Sequence, residues 1–190
     1  MKIKKKDIEI KNDDQRGAYH LELYENKRVM YQYYVNNVLS LVIYRPVLDV
    51  GAGDGLITHV FGTKSIGFDN NKTAVNLAKA KNANVVHGDV YKPLILPKYP
   101  AVFMGDVIEH LADWKLAIKN IKSCLNDDGH LYITTPPARA DRKLQDKFHY
   151  FEWNPDELKL NIESQGFECV DPIIVQNYRM FAKFKINLKP

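Results

Sequence analysis

Two cysteines, Cys124 and Cys169, are all the chain has among 190 residues. Neither stands at the spacing of a metal or redox pair, which excludes a disulfide-stapled fold and points to two reduced thiols, the cytoplasmic pattern. No apolar run approaches the roughly 20 residues of a membrane span. The opening Met1-Lys2-Ile3-Lys4-Lys5-Lys6 has lysines where a signal peptide needs its apolar stretch. Internal repeats and low-complexity tracts are missing too. Charge of one sign is scarce: 27 Lys and Arg against 23 Asp and Glu leave +4. The lysines of the first eleven residues, the group Arg139, Arg142, Lys143 and Lys147, and Lys183, Lys185 and Lys189 are interspersed with acids such as Asp7, Glu9, Asp141 and Asp146. That falls short of the basic face of a polyanion-binding domain. What is there is ordinary globular material, 45% hydrophobic and long enough for one sizeable core.

Its most informative stretch is Val47-Leu48-Asp49-Val50-Gly51-Ala52-Gly53-Asp54-Gly55-Leu56-Ile57-Thr58. A short apolar run, broken only by Asp49, leads into alternating glycines and then a second apolar segment. The pattern predicts a buried strand turning sharply into a helix, at the carboxyl end of a parallel sheet. Glycine permits the turn and the close approach of a ligand, and a helix start offers N–H groups to it. The spacing is G-x-G-x-G, whereas a dinucleotide site has G-x-G-x-x-G. A carboxylate two residues ahead of the first glycine would repel a pyrophosphate and suits a ligand with an amino group. S-adenosylmethionine has that group, with a ribose, an adenine and a sulfonium. An acid inside an apolar strand is costly without a partner, so Asp49 is a candidate ligand contact. Asp54 reads as a first-turn residue favoured by the helix dipole.

The pattern repeats downstream. Asp69 ends a second strand, Ser65 to Phe68, where it can reach ribose hydroxyls or simply cap the helix opened by Asn70 and Asn71. Val85-Val86 leads to Asp89 and Val90, placed to accept from an adenine amino group and to pack against the ring. A fourth strand, Ala101 to Gly105, runs into Asp106-Val107-Ile108-Glu109-His110-Leu111. Pro93, Pro97 and Pro100 exclude a full helix before it. Trp114, Ala117, Ile118, Ile121 and Leu125 recur at helical spacing as core. Residues 18–43 read as helical. Six tyrosines precede Val47, most of them packing as amphipathic surface and some facing a ligand. Phe167 to Val175 and Met180 to Leu188 alternate as two closing strands.

Taken together, these motifs resemble the class I S-adenosylmethionine-dependent methyltransferases, from about Val47 to the C-terminus. Leu125 to Pro136, His149 to Trp153 and Gln165 to Glu168 are similar to that family's later segments. The resemblance implies an α/β, doubly wound, Rossmann-like fold. Its sheet would be mostly parallel and seven-stranded, with helices on both faces and an antiparallel C-terminal strand. It implies a single domain over 1–190, with a helical cap segment at 1–44 and a catalytic core at 45–190. Gly51, Ala52 and Gly53 would hold the methionine end of the cofactor. Asp49, Asp69, Asn70, Asp89, Val90 and Asp106 would complete its site.

Methyl transfer to oxygen or nitrogen needs alignment and a base. Asp106, Glu109 and His110, at i, i+3 and i+4, are expected on one face of a helix start, and His149 on the loop after strand five. Two resemblances divide the function. The ubiquinone-biosynthesis O-methyltransferases imply a small-molecule acceptor, with His110 or His149 as base. The small-RNA 3′-terminal 2′-O-methyltransferases imply an RNA partner and a divalent metal on Asp106, Glu109, His110 and His149. This chain departs from them in having Asp at the first position and Pro137 after Thr-Pro. A third possibility is a cofactor-binding module without catalysis. The sequence does not specify oligomeric state.

Overall fold

The structure, a computed structural model, describes residues 28–188. Helix α1 (Arg28–Leu41) is the described part of the helix expected over 18–43. Residues 18–27, with Tyr19 and Tyr24, lie outside the described residues. Strands and helices then alternate: β1 (Val47–Val50), α2 (Leu56–Val60), β2 (Ile66–Asp69), α3 (Lys72–Ala80) and β3 (Val85–His87). A loop without helix, as the prolines require, leads to β4 (Tyr99–Gly105), α4 (Trp114–Lys122), β5 (Leu125–Thr135) and α5 (Pro155–Glu163). The chain closes with β6 (Phe167–Cys169), β7 (Ile174–Gln176) and β8 (Arg179–Ile186).

The helix starts follow from local chemistry. Asn71, Asp113 and Asn154 each accept a hydrogen bond from the backbone N–H three residues on. Glu157 returns the bond to Asn154 and completes a capping box, with Pro155 in the first turn.

All strands join one sheet in the order β3-β2-β1-β4-β5-β8-β6, with β7 also on β8. Strands β1 to β5 are parallel, and β8 runs antiparallel to β5. Strands β6 and β7 pair with opposite ends of β8, Phe167 opposite Ile186 and Gln176 opposite Arg179. They therefore share one edge position of a seven-place sheet. The single strand expected over Phe167 to Val175 is broken around Pro172, which cannot donate to the ladder.

Side chains alternate across the sheet and build a core on each face. Leu48, Val50, Val102, Met104, Leu131 and Ile133 pack with Ala117, Ile118 and Ile121 of α4 and Leu158 and Ile162 of α5. Val47, Ala101, Phe103 and Tyr132 pack on the other face with Ile57 of α2 and Tyr31, Tyr34 and Val38 of α1. Burying such a side chain contributes on the order of 2 kcal/mol, so α1 is bound firmly to the sheet.

Of the four described tyrosines before Val47, Tyr31 and Tyr34 are buried in the core while Tyr33 and Tyr44 are exposed. Two expectations are corrected here. Leu125 belongs to β5, because α4 ends at Lys122. Asp54 is fully buried and paired with Lys81 Nζ at 2.7 Å, while Gly55 takes the cap position of α2. An ion pair of that depth holds the glycine loop against the end of α3 and is more than a dipole effect. Among the described residues no helix is long and apolar enough to cross a membrane.

Candidate functional site

The parallel register brings the acids to one edge. Asp49 pairs with Gly67 and Asp69 with His87, so the carboxyl ends of β1, β2 and β3 lie side by side. The glycine loop leaves β1 with φ of 68° at Gly51, 56° at Gly53 and 75° at Gly55. A Cβ on Gly51 would sit 2.4 Å from Val107 Cγ2, so only glycine lets the loop pass the segment after β4. The N–H groups of Gly51 and Ala52 both donate to the Phe68 carbonyl, at 2.9 and 3.1 Å. Asp69 accepts from Gly53 N–H at 2.8 Å and from Asn71 N–H at 2.8 Å. Asp69 thus ties the glycine loop to the start of α3 rather than only capping a helix.

Asp49 is 2 % exposed and accepts from Thr58 Oγ1 at 2.6 Å. Burial pushes its pKa up to about 7; the Thr58 hydrogen bond opposes this and the Asp69 charge adds to it. A carboxylate held this way has an electrostatic use for a cation. Asp89 accepts from Tyr91 N–H at 2.9 Å, and Val90 is buried against the core. Asn70 is exposed at the same edge, where its carbonyl meets His87 Nε2 at 3.1 Å.

A second group forms beside the glycine loop. Val107, which touches Gly51, leads into a short 3-10 turn, Ile108–His110. The loop after β5 folds back onto this turn, Tyr150 N–H donating to the Glu109 carbonyl at 2.8 Å. Glu109, His110 and His149 consequently offer ligand atoms all within 4.8 Å of one another. The two imidazoles meet edge to face with centroids 4.7 Å apart. Glu109 is buried and accepts from Thr135 Oγ1 at 2.9 Å. Burial, then the nearby Asp106 charge, raises its pKa well above the ordinary carboxylate range. His110 Nδ1 lies 3.1 Å from the Phe148 carbonyl, which only accepts, so Nδ1 carries the proton and the lone pair is on Nε2. His149 Nδ1 lies 2.5 Å from Glu152 Oε1.

Asp106 is not brought into this group. Its backbone is left-handed, φ 53°, and it precedes the 3-10 turn instead of opening a helix. Arg179 of β8 takes both of its carboxylate oxygens, Nε donating to Oδ1 at 2.8 Å and Nη2 to Oδ2. Of the four residues expected to hold a metal from the RNA-enzyme resemblance, Glu109, His110 and His149 gather here. Asp106, expected as a cofactor contact, has its carboxylate turned to Arg179.

Several residues of the site carried no signal in the sequence. Arg179 and Thr58 reach Asp106 and Asp49 only through the fold. Tyr34 donates or accepts at Thr134 Oγ1, 3.0 Å away, with the Arg179 guanidinium 4.5 Å over its ring. Only the crowding of tyrosines before Val47 hinted at such a role.

Residues 21–171 match a family described as a methyltransferase domain. No curated protein matches the chain in sequence. Among solved structures, a methyltransferase from Thermotoga maritima, described as a possible histamine N-methyltransferase, superposes with a TM-score of 0.74 at 14% identity. The match covers 88% of this chain and 94% of that one. Magnesium protoporphyrin IX methyltransferase from Synechocystis PCC 6803, solved with bound SAH, gives 0.67 at 17% identity over 84% and 85%. A SAM-dependent methyltransferase from Aquifex aeolicus gives 0.65 at 21% identity over 80% and 89%. At these identities the likeness to each is one of fold.

Proposed function

The chain belongs to the methyltransferase-domain family, the class I S-adenosylmethionine-dependent enzymes, and from that membership we propose that it methylates a hydroxyl of a small-molecule acceptor. The observation that carries this reading is the pair of imidazoles, His110 and His149, set edge to face just past the loop that packs on Gly51.

The residues at the sheet edge fit the cofactor chemically. Asp49, a buried carboxylate that accepts from the neutral Thr58 hydroxyl, suits the cofactor's ammonium group. Gly51, Ala52 and Gly53 would carry its methionine end, Asp69 and Asn70 its ribose, and Asp89 and Val90 its adenine. When bound, the cofactor supplies a methyl group made electrophilic by a positive sulfur. The protein then has to orient an acceptor and take its proton. An imidazole does this near neutral pH, and the Nε2 lone pair of His110 or His149 is the accepting atom. Asp106, locked by Arg179, holds the end of β4 in place at this edge.

A second reading is favoured by the closeness of Glu109, His110 and His149: a divalent ion on these three, with RNA 3′-terminal ribose as acceptor. One carboxylate and two imidazoles with both rings oriented from behind are a sensible ligand set. The surface argues for the small molecule. Arg142 is bound to Glu157 at 2.9 Å and Arg139 lies 3.7 Å from Asp141, so two of the four basic residues of that loop sit beside an acid.

The deciding experiment supplies labelled S-adenosylmethionine with catechol-type hydroxyl acceptors or a 3′-hydroxyl oligoribonucleotide, each with EDTA or with manganese. Transfer to a small hydroxyl acceptor in EDTA, lost in His110→Ala or His149→Ala, is the expected result. Transfer only to RNA and only with manganese would replace it with the second reading. A protein that binds the cofactor in calorimetry and methylates nothing would be a binding module.

A further inference from the structure

Glu152 sits in the loop between β5 and α5 with its side chain 2 % exposed. Both of its hydrogen bonds fall on one oxygen. Oε1 accepts from the Gln145 N–H at 2.6 Å and from His149 Nδ1 at 2.5 Å. Oε2 is buried and meets no hydrogen-bond partner among the described residues. To brace a loop, an acceptor is enough, and a glutamine would provide one without a buried charge. The loop is braced elsewhere as well: Gln145 Nε2 donates to the Pro137 carbonyl at 2.7 Å, and Tyr150 N–H to Glu109. A carboxylate with one bare oxygen is a costly brace, and the group it faces is an imidazole.

We propose that Glu152 is a positioning residue, which holds His149 as its Nδ1–H tautomer and aims the Nε2 lone pair into the space shared with Glu109 and His110. The proposal rests on the reading of His149 as an acceptor-side group. An ionised carboxylate has no proton to give, so the proton between the two residues belongs to Nδ1. A buried acid orients a catalytic histidine in hydrolases by the same kind of contact. His110 is held in a similar way from behind, its Nδ1 3.1 Å from the Phe148 carbonyl.

The test needs neither cofactor nor acceptor. Long-range proton–nitrogen spectra of ring-labelled histidines are recorded at about pH 8.5, two units above the ordinary imidazole pKa. The parent protein, Glu152→Gln and Glu152→Leu are compared. The parent is expected to show His149 with an Nδ1–H excess of about tenfold or more, the strength of a charged hydrogen bond. Glu152→Leu should lose that excess, and Glu152→Gln, which keeps an acceptor, should keep only part of it. Should the leucine variant fail to fold, the glutamine variant decides alone, with an excess reduced at least about threefold. An Nε2–H ring in the parent, or an unchanged excess in the folded variants, overturns the proposal. Calorimetry with S-adenosylmethionine should show Glu152→Gln within about twofold of the parent, since Glu152 has no place in the cofactor edge. The correct tautomer without any hydroxyl methylation would remove the base assignment while this contact stands. A wrong tautomer would remove the contact whatever the activity.

Discussion

Arg179 holds Asp106 from the opposite end of the chain, its Nε 2.8 Å from Oδ1 and its Nη2 on Oδ2. The pair joins the tip of β4 to the start of β8, under the ring of Tyr34. Asp106, so held, is not among the ligand atoms that Glu109, His110 and His149 bring within 4.8 Å of one another.

A double-mutant cycle with Asp106→Asn and Arg179→Met should give a coupling energy of about 1.5–3 kcal/mol, the range for charge-assisted hydrogen bonds in a partly buried site. Urea unfolding of the four proteins measures it. A coupling near zero would mean the bidentate contact does not persist in solution.

Asp49→Asn should weaken S-adenosylmethionine binding about 10- to 100-fold while leaving the melting temperature unchanged or higher. The asparagine still accepts from Thr58, and no charge is then buried. Calorimetry with a thermal melt checks both halves. A large loss of stability with intact affinity would make Asp49 a purely structural acid.

Asp49 also sets a pH dependence whose two signs differ. Its folded pKa of about 7 lies above the unfolded value near 3.8. The folded chain therefore binds more protons between these values, and this group's contribution to stability is full below about pH 4 and is lost as pH rises to about 7. Cofactor binding runs the other way, because the ammonium needs the ionised form. Affinity should fall by up to about tenfold per unit below pH 7. Calorimetry from pH 5 to 7.5 measures the slope, and Asp49→Asn should flatten it.

Gly51→Ala should cost at least about 2 kcal/mol. The backbone there has φ 68°, and the new Cβ would meet Val107 Cγ2 at 2.4 Å. Adding Val107→Ala should return the steric part and leave the dihedral strain. Denaturant midpoints of the three proteins show whether the cost divides that way.

Much of the sheet edge proposed for the cofactor was legible in the chain because it is built from local signals. An acid at a strand end, glycines at a turn and an asparagine at a helix start act within a few residues, and parallel strands align such ends automatically. The acceptor side was less legible. Asp106, Glu109 and His110 looked like one helical face because their spacing is i, i+3, i+4, yet Asp106 has a left-handed backbone and only Ile108–His110 form a short 3-10 turn. Which of the early tyrosines are buried was not legible, because α1 alone shows no reason to bury a hydroxyl at Tyr31 and Tyr34. The aromatic face made by Phe103, Tyr132 and Phe181 supplies it.

By itself, then, the sequence determined the order of strands and helices, the glycine turn after β1 and the acids at three successive strand ends, since each follows from interactions between near neighbours. The tertiary structure alone decided which groups meet over long distances. It set Thr58 on Asp49, Arg179 on Asp106, and the loop of His149 and Glu152 against Glu109 and His110. Those contacts depend on how the sheet stacks its edges and where the loop after β5 folds back. Burial of a charge selects its partner only after the chain has closed around it.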